Sequence, residues 1–183
     1  MSSLSGTGFS KGKPSALTLW THGGCGEFSG YGNRDLLDRA LTAFFASRQC
    51  PGAAIRAAMD WALAQARAQQ AVTGGFHSPL EQSVLTVLLQ ARSPVVAVLA
   101  RPMLGARLPP AWAEPLTQGR MAVVSSVSVA RRLTHEAAAV RNAQVAQLAT
   151  SIVVAHASPG GSLENLVAQW RLQARQISML SET

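Results

Sequence analysis

Long apolar runs are missing from this chain of 183 residues. The longest, such as 94–100, reach about seven or eight residues where a membrane helix needs about 20, so a spanning segment is excluded. No basic region followed by an apolar block opens the chain, which argues against a secretory signal. Cysteine is scarce: Cys25 and Cys50 are too few for a disulfide framework and point to a reducing, cytoplasmic setting. With His22 they show no zinc-like spacing, and no metal or cofactor is expected. A GxxxxGK[ST] loop, a GxGxxG after the first domain strand and a G-x-S-x-G elbow are all absent. Those absences remove Walker-type ATPases, ordinary NAD binding and the hydrolase elbow. Aromatics make up only 5% of the chain, which excludes extensive base stacking.

The charge that is present is mostly of one sign. The formal net charge is +7, and Lys11 and Lys13 are the only lysines. A basic balance favours anionic partners, nucleic acid or nucleotides among them, although an alanine- and arginine-rich composition also arises without functional meaning. Position separates the two readings. Arg101, Arg107, Arg131, Arg132 and Arg141 fall near predicted strand ends or helix starts.

Residues 1–40 are rich in Gly and Ser as far as Asn33 and read as a loose arm, with the piece from Leu17 to Trp20 packing on the domain. From 41 to 183 the pattern becomes regular and reads as a single domain. Short apolar runs at 41–46, 70–73, 94–100, 121–126 and 151–157 predict strands, with a short final one at 176–180. Between them lie helical stretches at 53–69, from Ser78 to about Arg92, a short one at 111–117, 136–149 capped by Thr134, and 162–172. Ser78 and Glu81 form a capping box, and Pro51 suits a first helical turn. Near-continuous apolar strands alternating with helices define an α/β class. The expected fold is a doubly wound, Rossmann-like parallel sheet with helices on both faces. Right-handed crossovers then gather the strand-to-helix loops on one edge, where ligands bind.

The unusual residues sit in those loops. Ser47 and Arg48 follow the first domain strand, just before a helix start that offers backbone N–H groups to an anion. Gly74, Gly75, Phe76, His77 and Ser78 follow the second. There the glycines permit close approach, and Phe76 or His77 is placed to stack on a base. Arg141 and Asn142 lie two turns into the fourth helix, near the face shared with Ala137 and Ala138. His156 ends the last main strand, and Gly160, Gly161 and Ser162 open the last helix. For each the structural alternative is ordinary: a strand–helix turn, a core Phe76, a helix cap, a solvated arginine, a buried histidine.

Taken in order, the segments FFASRQCPG, TGGFHSPLE, RRLTHEAAAVRNAQVAQLA and VVAHASPGG resemble the Rossmann-like core of the DNA-processing protein A (DprA, or Smf) family, in a short stand-alone branch. The match runs from about Leu41 to Leu166, with GFHSPLE standing where the family more often has GLARGID. The resemblance implies single-stranded DNA binding, a role in DNA uptake (competence) and recombination, and a recombinase partner. It places Ser47, Arg48, Gly74, Gly75, His77, Ser78, Arg141, Asn142, Gly160, Gly161 and Ser162 around the ligand. Arg101 joins them as a basic residue at a strand end. Arg48 and Arg141 are the expected phosphate contacts, with a nucleotide as the alternative ligand to DNA and a homodimer as the further assembly.

More distantly, Pro159-Gly160-Gly161 resembles the start of the PGGxGTxxE segment of the Lonely Guy nucleoside monophosphate phosphoribohydrolases. The Gly-Thr is missing, and the glutamate position is held by Val167, with Glu164 three places early. An enzyme of that kind, with Glu81 or Glu164 as its carboxylate, ranks second to a non-enzymatic binding module. A nucleotide-sensing module is the third reading.

Overall fold

The computed structural model describes residues 19–23, 27–128 and 135–180. Two strands come first, β1 (Trp20–Gly23) and β2 (Glu27–Gly32), then a 3-10 turn at Arg34–Asp38. The alternating part follows: β3 (Leu41–Phe45), α1 (Gly52–Arg67), β4 (Ala71–Gly74), α2 (Pro79–Gln90), β5 (Val95–Val98). A 3-10 turn at Pro110–Trp112 leads into α3 (Ala113–Thr117) and β6 (Met121–Ser125). The chain ends with α4 (His135–Leu148), β7 (Ser151–Val154), α5 (Ser162–Leu172) and β8 (Ile177–Met179). Thr134, Arg131 and Arg132 lie outside the described residues. No described helix is long and apolar enough to cross a membrane.

All eight strands form one sheet in the order β1-β2-β6-β5-β4-β3-β7-β8. From β3 to β8 every pairing is parallel. The chain steps outward from β3 through β4 and β5 to β6, then returns to place β7 on the other side of β3. The strand order therefore reverses between β3 and β7, and this is the doubly wound topology.

Side-chain alternation divides the interior into two cores. Leu41, Ala43 and Phe45 of β3 face Val145, Leu148, Leu163 and Trp170 of α4 and α5. Phe44 and Ala46 face Ala58, Ala62 and Leu88 of α1 and α2. Period-two alternation with both faces apolar is why these strands read as continuous apolar runs. Alanines at 54, 58, 62 and 66 make one buried stripe along α1 and let it lie close to the sheet, with Trp61 stacked on Phe44 at 4.9 Å. On the opposite face Trp170 meets Phe45 at 4.8 Å.

Residues 20–23 and 27–32, which composition assigns to a loose arm, instead add two strands to the sheet. β2 pairs antiparallel with β6, and β1 with β2. Gly30 and Gly32 serve close packing rather than looseness. A Cβ on Gly30 would stand 2.6 Å from the Val123 carbonyl oxygen and 2.8 Å from the Trp20 ring. The Trp20 indole N–H donates to the Gly32 carbonyl at 2.9 Å, closing this edge. The sheet thus continues across the boundary drawn at residue 40.

Three helices end on a left-handed residue that is not glycine: Gln69 after α1, Arg92 after α2 and Ala174 after α5. Each closes with the paired hydrogen bonds of a Schellman turn, as in Arg175 N–H to Trp170 O and Ala174 N–H to Arg171 O. An L side chain in this conformation costs about 1 kcal/mol that glycine avoids. Ala174→Gly is therefore expected to raise unfolding stability by about 0.5–1 kcal/mol in urea titration, with no change in the slope. A destabilised variant would contradict the strain assigned to that turn.

Candidate functional site

A groove of about 740 Å³ opens at the carboxyl ends of β3 and β7, at the point where strand order reverses. Its walls are built from three directions. Ser47, Arg48 and Gln49 leave β3, His77, Ser78 and Glu81 lead into α2, and Ser158, Gly161, Ser162 and Leu163 follow β7. Ala138, Arg141 and Asn142 of α4 cover it from one face, and Phe45, Ala46 and Ala100 complete the lining.

The two loops flanking the reversal are tied into one rim. Ser47 N–H donates to the His156 carbonyl at 2.9 Å, and the Ser47 hydroxyl accepts from Ser158 N–H at 2.9 Å. The Ser158 hydroxyl donates to Gln49 O at 3.4 Å. Cys50 is held by its thiol against Ser47 O at 3.2 Å, and burial, then the charge of Glu81, push that thiol's pKa up. A raised pKa keeps it protonated and unreactive.

The second loop turns on a capping box. Ser78 Oγ accepts from Glu81 N–H at 3.3 Å. Glu81 Oε2 accepts from His77 N–H at 2.7 Å and Ser78 N–H at 3.1 Å. Its Oε1 accepts from Ala46 N–H at 3.1 Å, at the end of β3. The carboxylate is buried.

Arg141 crosses over this loop from α4. Its Nε and Nη2 donate to Asn142 Oδ1 at 3.4 and 3.1 Å. The guanidinium lies directly on Gly75, where an added Cβ would sit 2.5 Å from Nε. Among the described residues it has no ion-pair partner. Burial lowers its pKa from the ordinary arginine value, and Glu81 opposes that shift through space. It remains a cation at neutral pH. Facing it, α5 begins at Gly161 with no side-chain cap, so the positive end of an 11-residue helix opens on the groove. A half-buried guanidinium and a helix N-terminus thus face one volume, an arrangement suited to phosphate-like anions.

The expected residues divide accordingly. Ser47, Arg48, His77, Ser78, Arg141, Asn142, Gly161 and Ser162 line the groove, with Arg48 and His77 exposed. Gly74 ends β4 and lies buried beneath the loop, and Gly75 forms the seat of Arg141. Gly160 takes φ +71 at its turn and faces open space. Arg101 is not in the lining although its neighbour Ala100 is, and it donates to Arg107 O at 2.8 Å within its own loop. Phe76 is core, buried at φ 47, and does not offer a ring for stacking. Glu164 accepts from Gly160 N–H at 2.7 Å and lines a separate, smaller cavity with His156 and Arg171. Gln49, Ala138 and Ser158 carry no motif that would single them out. Ala138 is legible only as the small residue one turn before Arg141. Among the described residues no group of three or more His, Cys, Asp or Glu is placed to hold a metal.

Fold and groove define a Rossmann-like domain with its candidate site at the topological switch point. No family model and no curated protein matches this sequence. Among solved structures, DNA processing protein A from Streptococcus pneumoniae superposes with a TM-score of 0.68 at 18% identity, covering 84% of this chain and 54% of that one. DNA processing protein A from Helicobacter pylori, described for its single-stranded DNA binding mode, gives 0.71 at 11%, covering 91% and 82%. The chain spans about half the length of the S. pneumoniae protein. At these identities the likeness establishes the fold, and it is the fold of the same family, DprA, that the loop segments resemble.

Replacing Gly75 by alanine is expected to unseat Arg141, because backbone and guanidinium cannot both keep their places. The Arg141 Nε–H resonance should move toward that of a solvent-exposed arginine, with little stability lost, because the far end of a flexible side chain can give way. An unchanged resonance in the folded variant would contradict this seating.

Proposed function

We propose that this chain binds the phosphate backbone of single-stranded DNA in the switch-point groove, as a DprA-like protein acting in DNA uptake and recombination. The observation that carries the reading is Arg141: a half-buried guanidinium without a direct carboxylate partner among the described residues, aimed with the uncapped α5 terminus into one groove. Its desolvation is offset only in part by the nearby charge of Glu81, so an anion joining it in the groove is favoured. Exposed Arg48 supplies a second cation, and the hydroxyls of Ser47, Ser158 and Ser162 supply neutral contacts. Phe45, Ala46, Ala138 and Leu163 give the groove apolar walls suited to a sugar or base face. The net charge of +7 favours an anionic ligand over an uncharged one.

Support from outside the chain is the H. pylori structure, whose protein binds single-stranded DNA. A homodimer and a recombinase partner belong to the same reading, and a cytoplasmic location rests on the scarcity of cysteine. The phosphoribohydrolase alternative draws less support. Glu81 already accepts hydrogen bonds from Ala46, His77 and Ser78, and Glu164 points to a different cavity.

The test is a labelled oligothymidylate titrated at several salt concentrations. Affinity should fall as salt rises. The Arg48→Ala, Arg141→Ala double variant should bind at least tenfold more weakly. Its log–log salt slope should be shallower by about 1.4, or about 0.7 for each phosphate that is no longer neutralised. No detectable binding at low salt, or an unaltered double variant, would overturn the proposal.

A further inference from the structure

Glu81 is a buried acid beside a groove that the proposed function requires to attract anions. Its bonds to His77 and Ser78 belong to the cap of α2 and need no further explanation. The bond from Ala46 N–H to Oε1 is of another kind. It crosses to a strand end 35 residues earlier and is buried. Ala46 is followed directly by Ser47 and Arg48, which form one wall of the groove, while His77 and Ser78 form another. One carboxylate therefore spans two walls, with an oxygen committed to each. Arg141 lines the same groove, close enough for the two charges to act on each other.

We infer that Glu81 is a positioning residue: its carboxylate sets the separation of the Ala46–Arg48 wall from the His77–Ser78 wall and steadies Arg141 on Gly75, so that anion binding depends on a buried acid. The inference rests on the groove being the binding site. It makes a prediction opposite in sign to simple electrostatics. A negative charge near a bound phosphate repels it, so neutralising Glu81 should tighten binding if charge were its only contribution. If it positions the walls, neutralising it should weaken binding.

Glu81→Gln separates these outcomes. Glutamine serves equally well in a capping box, so α2 keeps its start. Its carbonyl oxygen can still accept from His77 and Ser78. Its amide then faces Ala46 N–H, donor against donor, and the link between walls is broken. The experiment measures oligothymidylate affinity and backbone amide exchange for the wild-type chain and the variant. The expected result is about tenfold weaker binding, the size of one charge-assisted hydrogen bond removed, with faster exchange at Ala46, Ser47 and Arg48. Equal or tighter binding by the folded variant overturns the inference, as does unchanged exchange at Ala46. Failure of the wild-type chain to bind would instead overturn the proposed function, and Ala46 exchange would still decide the link. Should Glu81→Gln fail to fold, Glu81→Asp is the second variant. It retains a carboxylate for its own turn but is one methylene too short to reach Ala46, and the same two readouts apply.

Discussion

β3 and β7 are hydrogen-bonded neighbours whose chains leave the sheet toward opposite faces, and the groove exists because of that divergence. The helix after β3 packs with α2 on one core, and the helix after β7 packs with α4 on the other. Neither can cover the strand ends between them. The exposed edge would be a ragged pair of loops but for the backbone and hydroxyl bonds joining Ser47 to His156 and Ser158. Those bonds convert a gap required by topology into a rim with fixed shape. They also leave the start of α5 pointing inward without a cap.

The remaining wall depends on what β4 omits. A strand ending in Gly74-Gly75 presents no side chains at its tip, so α4 can bring an arginine down onto bare backbone. Burial there strips water from the Arg141 guanidinium, and the charge of buried Glu81 offsets part of that cost. The far end of α4 is anchored by Arg175, whose guanidinium donates to the carbonyls of Ala146 and Ala149. A cation at a helix C-terminus is favoured by the macrodipole as well as by the bonds themselves. The helix that carries Arg141 is therefore held at both the seat and the tail, and the site inherits its precision from packed elements rather than from loops alone.

Most of the parallel sheet was legible because buried strands such as Val95–Val98 must be apolar on both faces, and because Ser78 and Glu81 announce a helix start locally. β2 was not legible. Its sequence EFSGYG buries one large side chain, Phe28, and its glycines serve contacts with Val123 and Trp20 that only the tertiary structure reveals. Among the candidate residues, Ser47 and Arg48 after β3 and Gly161 and Ser162 after β7 came together because topology alone places them. Arg101 did not, since its loop folds back on itself through Arg107. Glu164 did not, since the first turn of α5 rotates it to the other side of the helix. Nor could local pattern reveal that Glu81 reaches Ala46, because the capping box accounts for the same residue without that bond.

Under the proposed function, anions bind where the strand order reverses, and nowhere else on this basic surface with comparable preference. Amide chemical-shift mapping of the protein with a short oligothymidylate tests it most directly. Shifts are predicted to concentrate at Ser47, Arg48, His77, Ser78, Arg141, Ser158 and the Gly161–Leu163 segment, saturating together at one affinity. Shifts scattered over the exposed arginines, or centred on the opposite edge around Arg39, Arg92 and Arg120, would contradict it.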